Sequence, residues 1–420
     1  MGICAAFLAP AWQAVVPQLV PKAEVPAAIA LNSVGINISR AIGPAVGGAI
    51  IAGVGIAWPF MLNAISFVAV IAAVWWWKPP PAPRKALPAE RFVAAMRSGV
   101  RYARASPPLQ ATFARAVAFF LFASAYWALL PLIARQTLAG DARTYGTLVT
   151  CIGVGAVAGA IVLPRMRKRL GADKLVVLGT LGTMVTLLIF ALAGHVIAAS
   201  AASLLAGVSW IAVLSSLNVS AQMSLPDWVR ARGLSGYNAV FFGAMALGSV
   251  IWGQVAGLVG IAWALLIASG GGLLGIVLTR RFRLQTGGEL NLAPSSHWPQ
   301  PIVEAGVLAD AGPVMTTVEY RIDPATIATF MAAMDDLEME RRRDGAYAWG
   351  VFQDTAQPGR VLEYFIEESW LEHLRHHERV TQADRDLQAR VHALHVGAEP
   401  PRVAHYLAVA ATSRFEPTAK

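Results

Sequence analysis

Val54-Gly55-Ile56-Ala57-Trp58 recurs as Val259-Gly260-Ile261-Ala262-Trp263, 205 positions later. The same offset, without a gap, pairs Pro21 with Pro226, Gly43 with Gly248 and Gly48 with Gly253. A five-residue identity alone arises by chance. Supported by matching prolines, glycines and ends of apolar runs, it reads as two halves related by a repeat. Around these copies lie nine apolar runs, near 1–20, 27–53, 58–77, 112–134, 145–163, 174–194, 198–223, 234–257 and 260–279. Each is close to the ~20 residues that cross a bilayer. Several are rich in Gly and Ala, as closely packed membrane helices are. Trp75, Trp76 and Trp77 end one run, where an interfacial belt places them.

Composition agrees. Of 420 residues, 56% are hydrophobic and 14% charged, and the mean hydropathy is +0.53. Such a balance excludes a disordered chain and a simple soluble enzyme. Two cysteines, Cys4 and Cys151, exclude a disulfide scaffold, and both sit in apolar runs as packed thiols. The net charge of +9 is uneven: residues 1–312 carry +14 and residues 313–420 carry −5. Two domains of different kinds follow. The basic part reflects loops beside a membrane, and no nucleic-acid partner is expected.

The loops 78–111 and 164–174, Arg230 with Arg232, and Arg280, Arg281 and Arg283 are basic, whereas 54–57, 195–197 and 258–259 are nearly uncharged. The positive-inside rule places the basic set, and hence the C-terminus, in the cytoplasm of a multi-pass protein of the plasma or inner membrane. Nine spans leave the N-terminus outside. The repeat leaves about 94 residues of the second half without an upstream partner, enough for three spans. A chain lacking helices one to three of twelve is therefore expected, the alternative being a nine-helix protein.

The stretch 10–21, with Pro10, Trp12, Gln13, Pro17 and Pro21, and the segment Ala41-Ile42-Gly43-Pro44-Ala45-Val46-Gly47-Gly48 resemble helices four and five of the major facilitator superfamily. Residues 159–169, ending Pro164-Arg165-Met166-Arg167-Lys168-Arg169, resemble its second-half loop between helices eight and nine. Within the superfamily the likeness is to the transmembrane secretion effectors, the enterobactin exporter-like branch. The resemblance implies a partial major facilitator fold. It implies a secondary transporter, exporting a small organic molecule such as a siderophore, drug or metabolite by alternating access, commonly with proton exchange. The implied divisions are a remnant of the N-terminal bundle at 1–77, a central cytoplasmic loop at 78–111 and a six-helix bundle at 112–283.

Arg40 lies near the middle of the second run, where an arginine costs about 2.5 kcal/mol or more. It is expected to face the cavity and an anionic group, or to pair structurally with helix ends and Asn37. Gly43, Pro44, Gly47 and Gly48 permit close approach and bending, for gating or plain packing alike. Asn218 is an amide that must find a partner inside the bundle. Gly159, Pro164, Arg165 and Arg169 carry the loop motif. Arg115 is expected to snorkel to the interface, and Trp127 and Trp210 to pack, or to stack on an aromatic ligand. None of the eight acidic residues of 1–312 lies inside a run. That absence supports an alternative: a truncated, non-transporting regulator tethered to the membrane and acting through its tail.

Residues 284–312 read as a linker and 313–412 as a ferredoxin-like α+β domain. The pattern alternates like a strand over Val314–Arg321, is helical over 324–343, gives strands over 346–354 and Arg360–Glu367, a helix over 369–395 and a last strand over 403–409. It resembles the dimeric α+β barrels related to antibiotic-biosynthesis monooxygenases, which implies self-association; no enzymatic activity and no cofactor is assigned. His373, His376 and His377 have the i, i+3, i+4 spacing of a ligand set. No Cys or close carboxylate completes it beyond Glu372 and Glu378, so the reading is a solvated polar face bordering Trp370, with no metal.

Overall fold

The computed structural model describes residues 57–77, 92–285, 291–295, 297–298 and 311–408, with single positions 35, 50, 54, 87, 88 and 90. Arg40, Asn37, Gly43, Pro44, Gly47 and Gly48 lie outside the described residues. The chain forms two compact units. The first holds Met1–Arg84, Pro108–Ser224 and Leu234–Gly287; the second holds Lys85–Pro107, Leu225–Gly233 and Gly288–Lys420.

In chain order, the helices before the tail are α1 (Ala57–Trp76), α2 (Phe92–Ala105), α3 (Pro107–Leu132, continued by a π-helical turn Ile133–Thr137), α4 (Ala142–Leu192), α5 (Val196–Met223), α6 (Arg230–Val259) and α7 (Ile261–Thr279). All but α2 are long and apolar enough to cross a membrane. At 51 residues, α4 would be about 75 Å long if straight, over twice the ~30 Å of hydrocarbon. It breaks at Gly171, whose φ of 76° and ψ of 170° no helix contains; glycine takes that backbone without a Cβ penalty. The expected loop at 164–174 is thus mostly helix, running through Pro164 and the basic residues and turning only at Gly171. The six helices therefore contain seven of the nine apolar runs. The second copy of the repeated pentapeptide spans the start of α7, with Gly260 capping it at Ile261, and Ala57 and Trp58 of the first copy lie in α1.

Within the first unit, α4 packs along α5 and against α7. Glycine makes the first contact possible. A Cβ on Gly155 would strike the Leu204 carbonyl, and one on Gly207 the Ile152 carbonyl, so the two backbones touch as in small-xxx-small pairs. Buried hydroxyls are satisfied locally: Thr180, Thr183 and Ser203 each donate to the carbonyl four residues back at 2.7–3.0 Å. This is the economy that hydrocarbon demands.

The second unit carries a sheet of β1 (Val314–Arg321), β2 (Ala348–Gln353), β3 (Arg360–Glu367) and β4 (Arg402–Leu407) in the order β2-β3-β1-β4, every pair antiparallel. Helix α8 (Ile327–Asp344) follows β1, and α9 (Trp370–Arg379) with α10 (Gln382–His392) joins β3 to β4. This is the split βαβ arrangement. Phe330, Met334 and Leu337 recur at helical spacing on α8 and bury against Val318, Tyr320, Val361 and Val391. The helix expected over 369–395 is broken in two. Val380 is extended, and Thr381 starts α10 with a capping box closed by Asp384.

Three distant segments join this unit. Helix α2 packs on α8. Glu90 bridges Arg232 (2.8 Å) and Arg379 (3.0 Å), and Arg379 also lies 4.7 Å over the Trp228 ring. Described residues of the expected linker meet α10 as well: the Ala293 and Asn291 carbonyls accept from the Gln382 and Ala383 amides.

Candidate functional site

Trp210 on α5 centres an aromatic cluster inside the first unit. Phe120 and Trp127 of α3 lie 5.5 and 5.6 Å from it, Phe119 lies at 6.0 Å, and Phe241 of α6 at 6.4 Å. Tyr126 joins at 6.4 Å. Edge-to-face contacts dominate, the arrangement in which ring quadrupoles attract. Apart from each other, the Tyr126 hydroxyl and Trp127 Nε1 meet no hydrogen-bond partner, and Ser216 Oγ meets none. Buried polar groups without a partner are costly, and each calls for an explanation. Near one end, Arg115 is buried, donates from Nε to the Phe282 carbonyl (2.7 Å) and pairs with Asp173 (3.1 Å). Its guanidinium reaches Asp173, two residues beyond the Gly171 break and outside the apolar runs, and pairs with it there.

Of the other expected residues, Asn218 is half-buried on α5 and accepts from Gln222 Nε2 at 2.9 Å. Gly159 is a contact residue: a Cβ there would lie 2.7 Å from Ile211 Cγ2. Pro164, Arg165 and Arg169 are exposed on α4, away from the aromatic cluster. Gly248, the repeat mate of Gly43, lies against the Leu121 carbonyl and Ser124 of α3. Tyr126, Ser216 and Phe241 escaped the sequence reading; only Trp127 and Trp210 signalled an aromatic centre.

The second unit holds the densest charge. His373 and His376 are completely buried, not solvated, and the carboxylate that the sequence reading lacked arrives from β3. Glu367 accepts from His373 Nδ1 at 2.6 Å and from His376 Nδ1 at 2.8 Å. His376 Nε2 also faces Glu340 at 3.7 Å, an ion pair too long for a hydrogen bond. Burial alone would lower the His376 pKa, but Glu367 and Glu340 outweigh it and push it up to about 9. Burial likewise opposes the charge on Glu367, yet His376 and His373 hold its carboxyl well below the usual range. Glu340 and Asp344 gather beside His376, but Arg341 pairs with the first (3.0 Å) and Arg343 with the second (2.7 Å). That group is a closed ion-pair network.

A second group faces the other way from Glu367. His373 and His377, one turn apart on α9, bring Nε2 atoms to 3.2 Å, and the His405 ring of β4 lies 4.7 Å from that of His373. Burial first, and the neighbouring imidazoles second, pull His377 down to about 3; burial and His373 pull His405 down to about 4. Both rings are neutral at physiological pH, and the 3.2 Å contact is a hydrogen bond shared between the Nε2 atoms of His377 and His373.

The model of the transmembrane secretion effector family matches residues 1–413. Over 171 residues, 40% of the chain, the sequence is 26% identical to the staphyloferrin A transporter of Staphylococcus aureus (strain NCTC 8325 / PS 47), and the match spans 42% of that protein's length. Among solved structures, the E. coli fucose:proton symporter superposes with a TM-score of 0.47 and 17% identity, over 66% of this chain and 74% of that one. A bacterial homolog of the human lysosomal transporter Spinster, inward-facing and unoccupied, gives 0.42 and 12%, over 64% and 74%. The family match alone carries the assignment, and it agrees with the membrane-crossing helices: the chain belongs to the transmembrane secretion effectors of the major facilitator superfamily, a family of transporters and not of enzymes.

Proposed function

We propose that the protein is a secondary active exporter of a small organic molecule, working by alternating access and driven by proton exchange. The observation that carries this reading is the family match over residues 1–413. The buried, aromatic and incompletely satisfied centre around Trp210 supports it, because a planar organic ligand would stack there and meet the free donors. The relative named a staphyloferrin A transporter favours the siderophore end of the substrate range. Arg40, Asn37 and Asn218 are the proposed substrate contacts. Gly43, Pro44, Gly47 and Gly48 are the proposed flexing seam, which the tight seat of Gly248, the mate of Gly43, supports. Gly159, Pro164, Arg165 and Arg169 form the proposed loop motif. The basic loops favour a cytoplasmic C-terminus in the cell membrane. The sheet face away from the helices exposes Phe352, Leu362 and Tyr406, which favours self-association of the tail.

One observation favours a second reading, a non-transporting tethered regulator: no acidic residue lies inside an apolar run, and proton coupling normally uses a titratable group in the membrane. Everted vesicles separate the two. Staphyloferrin A first, then a panel of siderophores, drugs and metabolites, is offered outside under an inward-acid gradient. Export predicts uptake that a protonophore abolishes. No uptake of any member, with the protein present in the membrane, favours the regulator.

A further inference from the structure

The geometry points to a divalent transition-metal site in the C-terminal domain, with His373, His377 and His405 as its three protein ligands. One ring nitrogen from each lies within 4.8 Å of the others. The closest pair, the Nε2 atoms of His373 and His377, is separated by 3.2 Å. Tetrahedral coordination at a metal–nitrogen distance of about 2.0–2.1 Å sets ligand nitrogens about 3.3 Å apart. Two of the three are therefore already at coordination spacing, and the third needs a small ring rotation at the edge strand β4.

Glu367 supplies what distinguishes a ligand set from packed imidazoles. Its 2.6 Å contact holds the His373 proton on Nδ1, so the Nε2 lone pair must face His377 and His405. A carboxylate fixing the outer nitrogen of a liganding histidine is the recurrent second layer of such sites. Trp370 stands 5.2 Å from His373 and 6.2 Å from His405, and Trp298 stands 4.8 Å from His377. These rings wall the group and limit water around it. Imidazole-only ligation suits zinc, cobalt, nickel or copper rather than magnesium or calcium. Three ligands leave the fourth position to water or a small anion. Because α9 supplies two ligands and β4 the third, the ion ties the edge of the sheet to the helix above it.

The test uses the full-length, untagged protein in detergent with Co2+ as the probe. The expected result is one equivalent bound per chain, with the visible absorption of tetrahedral Co2+, displaced by Zn2+ and accompanied by a higher melting temperature. His377 and His405 are only partly buried, so His377→Gln and His405→Gln are chosen over changes at His373. Each is expected to melt like the wild type in chelator and to bind Co2+ at least about tenfold more weakly, while His195→Gln binds normally. Absence of stoichiometric Co2+ in the wild type overturns the site, as does equal binding by both glutamine variants.

Discussion

Glu367 is the residue on which the tail turns. It is fully buried between two histidines, and removing one member of a buried charged set leaves the others uncompensated, at a cost of about 3–5 kcal/mol. Glu367→Gln is therefore expected to destabilise the domain by that amount, read as faster hydrogen exchange in β1 and β3 of the full-length protein. Unchanged protection there would show that the histidines are not held by charge. The spacing of His373, His376 and His377 was legible in sequence because helical periodicity is local. Their burial was not. Charged residues ordinarily mark solvent, and the carboxylate that reverses this comes from a strand whose register only the tertiary fold sets. The partner of Arg115 was hidden for the same reason: Asp173 is remote in sequence and comes beside it only in the fold.

Among elements, strands β1 and β3 were readable to the residue because alternation on a half-buried sheet is strong. The break between α9 and α10 was hidden within a continuous helical pattern, although Thr381 and Asp384 spell its capping box. The α4–α5 contact rests on Gly155 and Gly207. Gly155→Leu forces side-chain atoms into the Leu204 backbone, and overpacking of this kind costs about 1–3 kcal/mol or more; loss of monodisperse protein in detergent is the expected outcome. Near the start of α2, Glu90 ties Arg232 to Arg379. Burial raises its pKa, but Arg379 and Arg232 outweigh that and hold the carboxyl below its ordinary 4.5. A depressed carboxylate contributes stability that is present above pH 4.5 and is lost as pH falls through the lowered value. The melting transition followed through Trp228, which Arg379 covers, is expected to fall with pH below about 4.5. Glu90→Gln should reduce that slope, the remainder belonging to other depressed carboxylates such as Glu367, and an equal slope in the variant would assign the acid transition elsewhere.

For the whole molecule, composition and repeat were enough to read a membrane bundle, since apolar length and periodicity report directly on a bilayer. The charge split between the basic part and the acidic tail, +14 against −5, was also legible. Which partners meet was not, because a charge sum names none: arginines of the tail, Arg343 and Arg379, lie on Tyr102, Trp228 and Glu90 of the loop segments. The central claim is that this chain moves a small organic molecule outward across a membrane. Its most direct measurement compares small-molecule contents of cells and medium, with the gene deleted and then restored as wild type or as Arg40→Ala. At least one compound should build up inside the deletion strain and fall in its medium, with wild-type protein reversing both changes and Arg40→Ala reversing neither. Identical cell and medium profiles with and without the gene would contradict the claim.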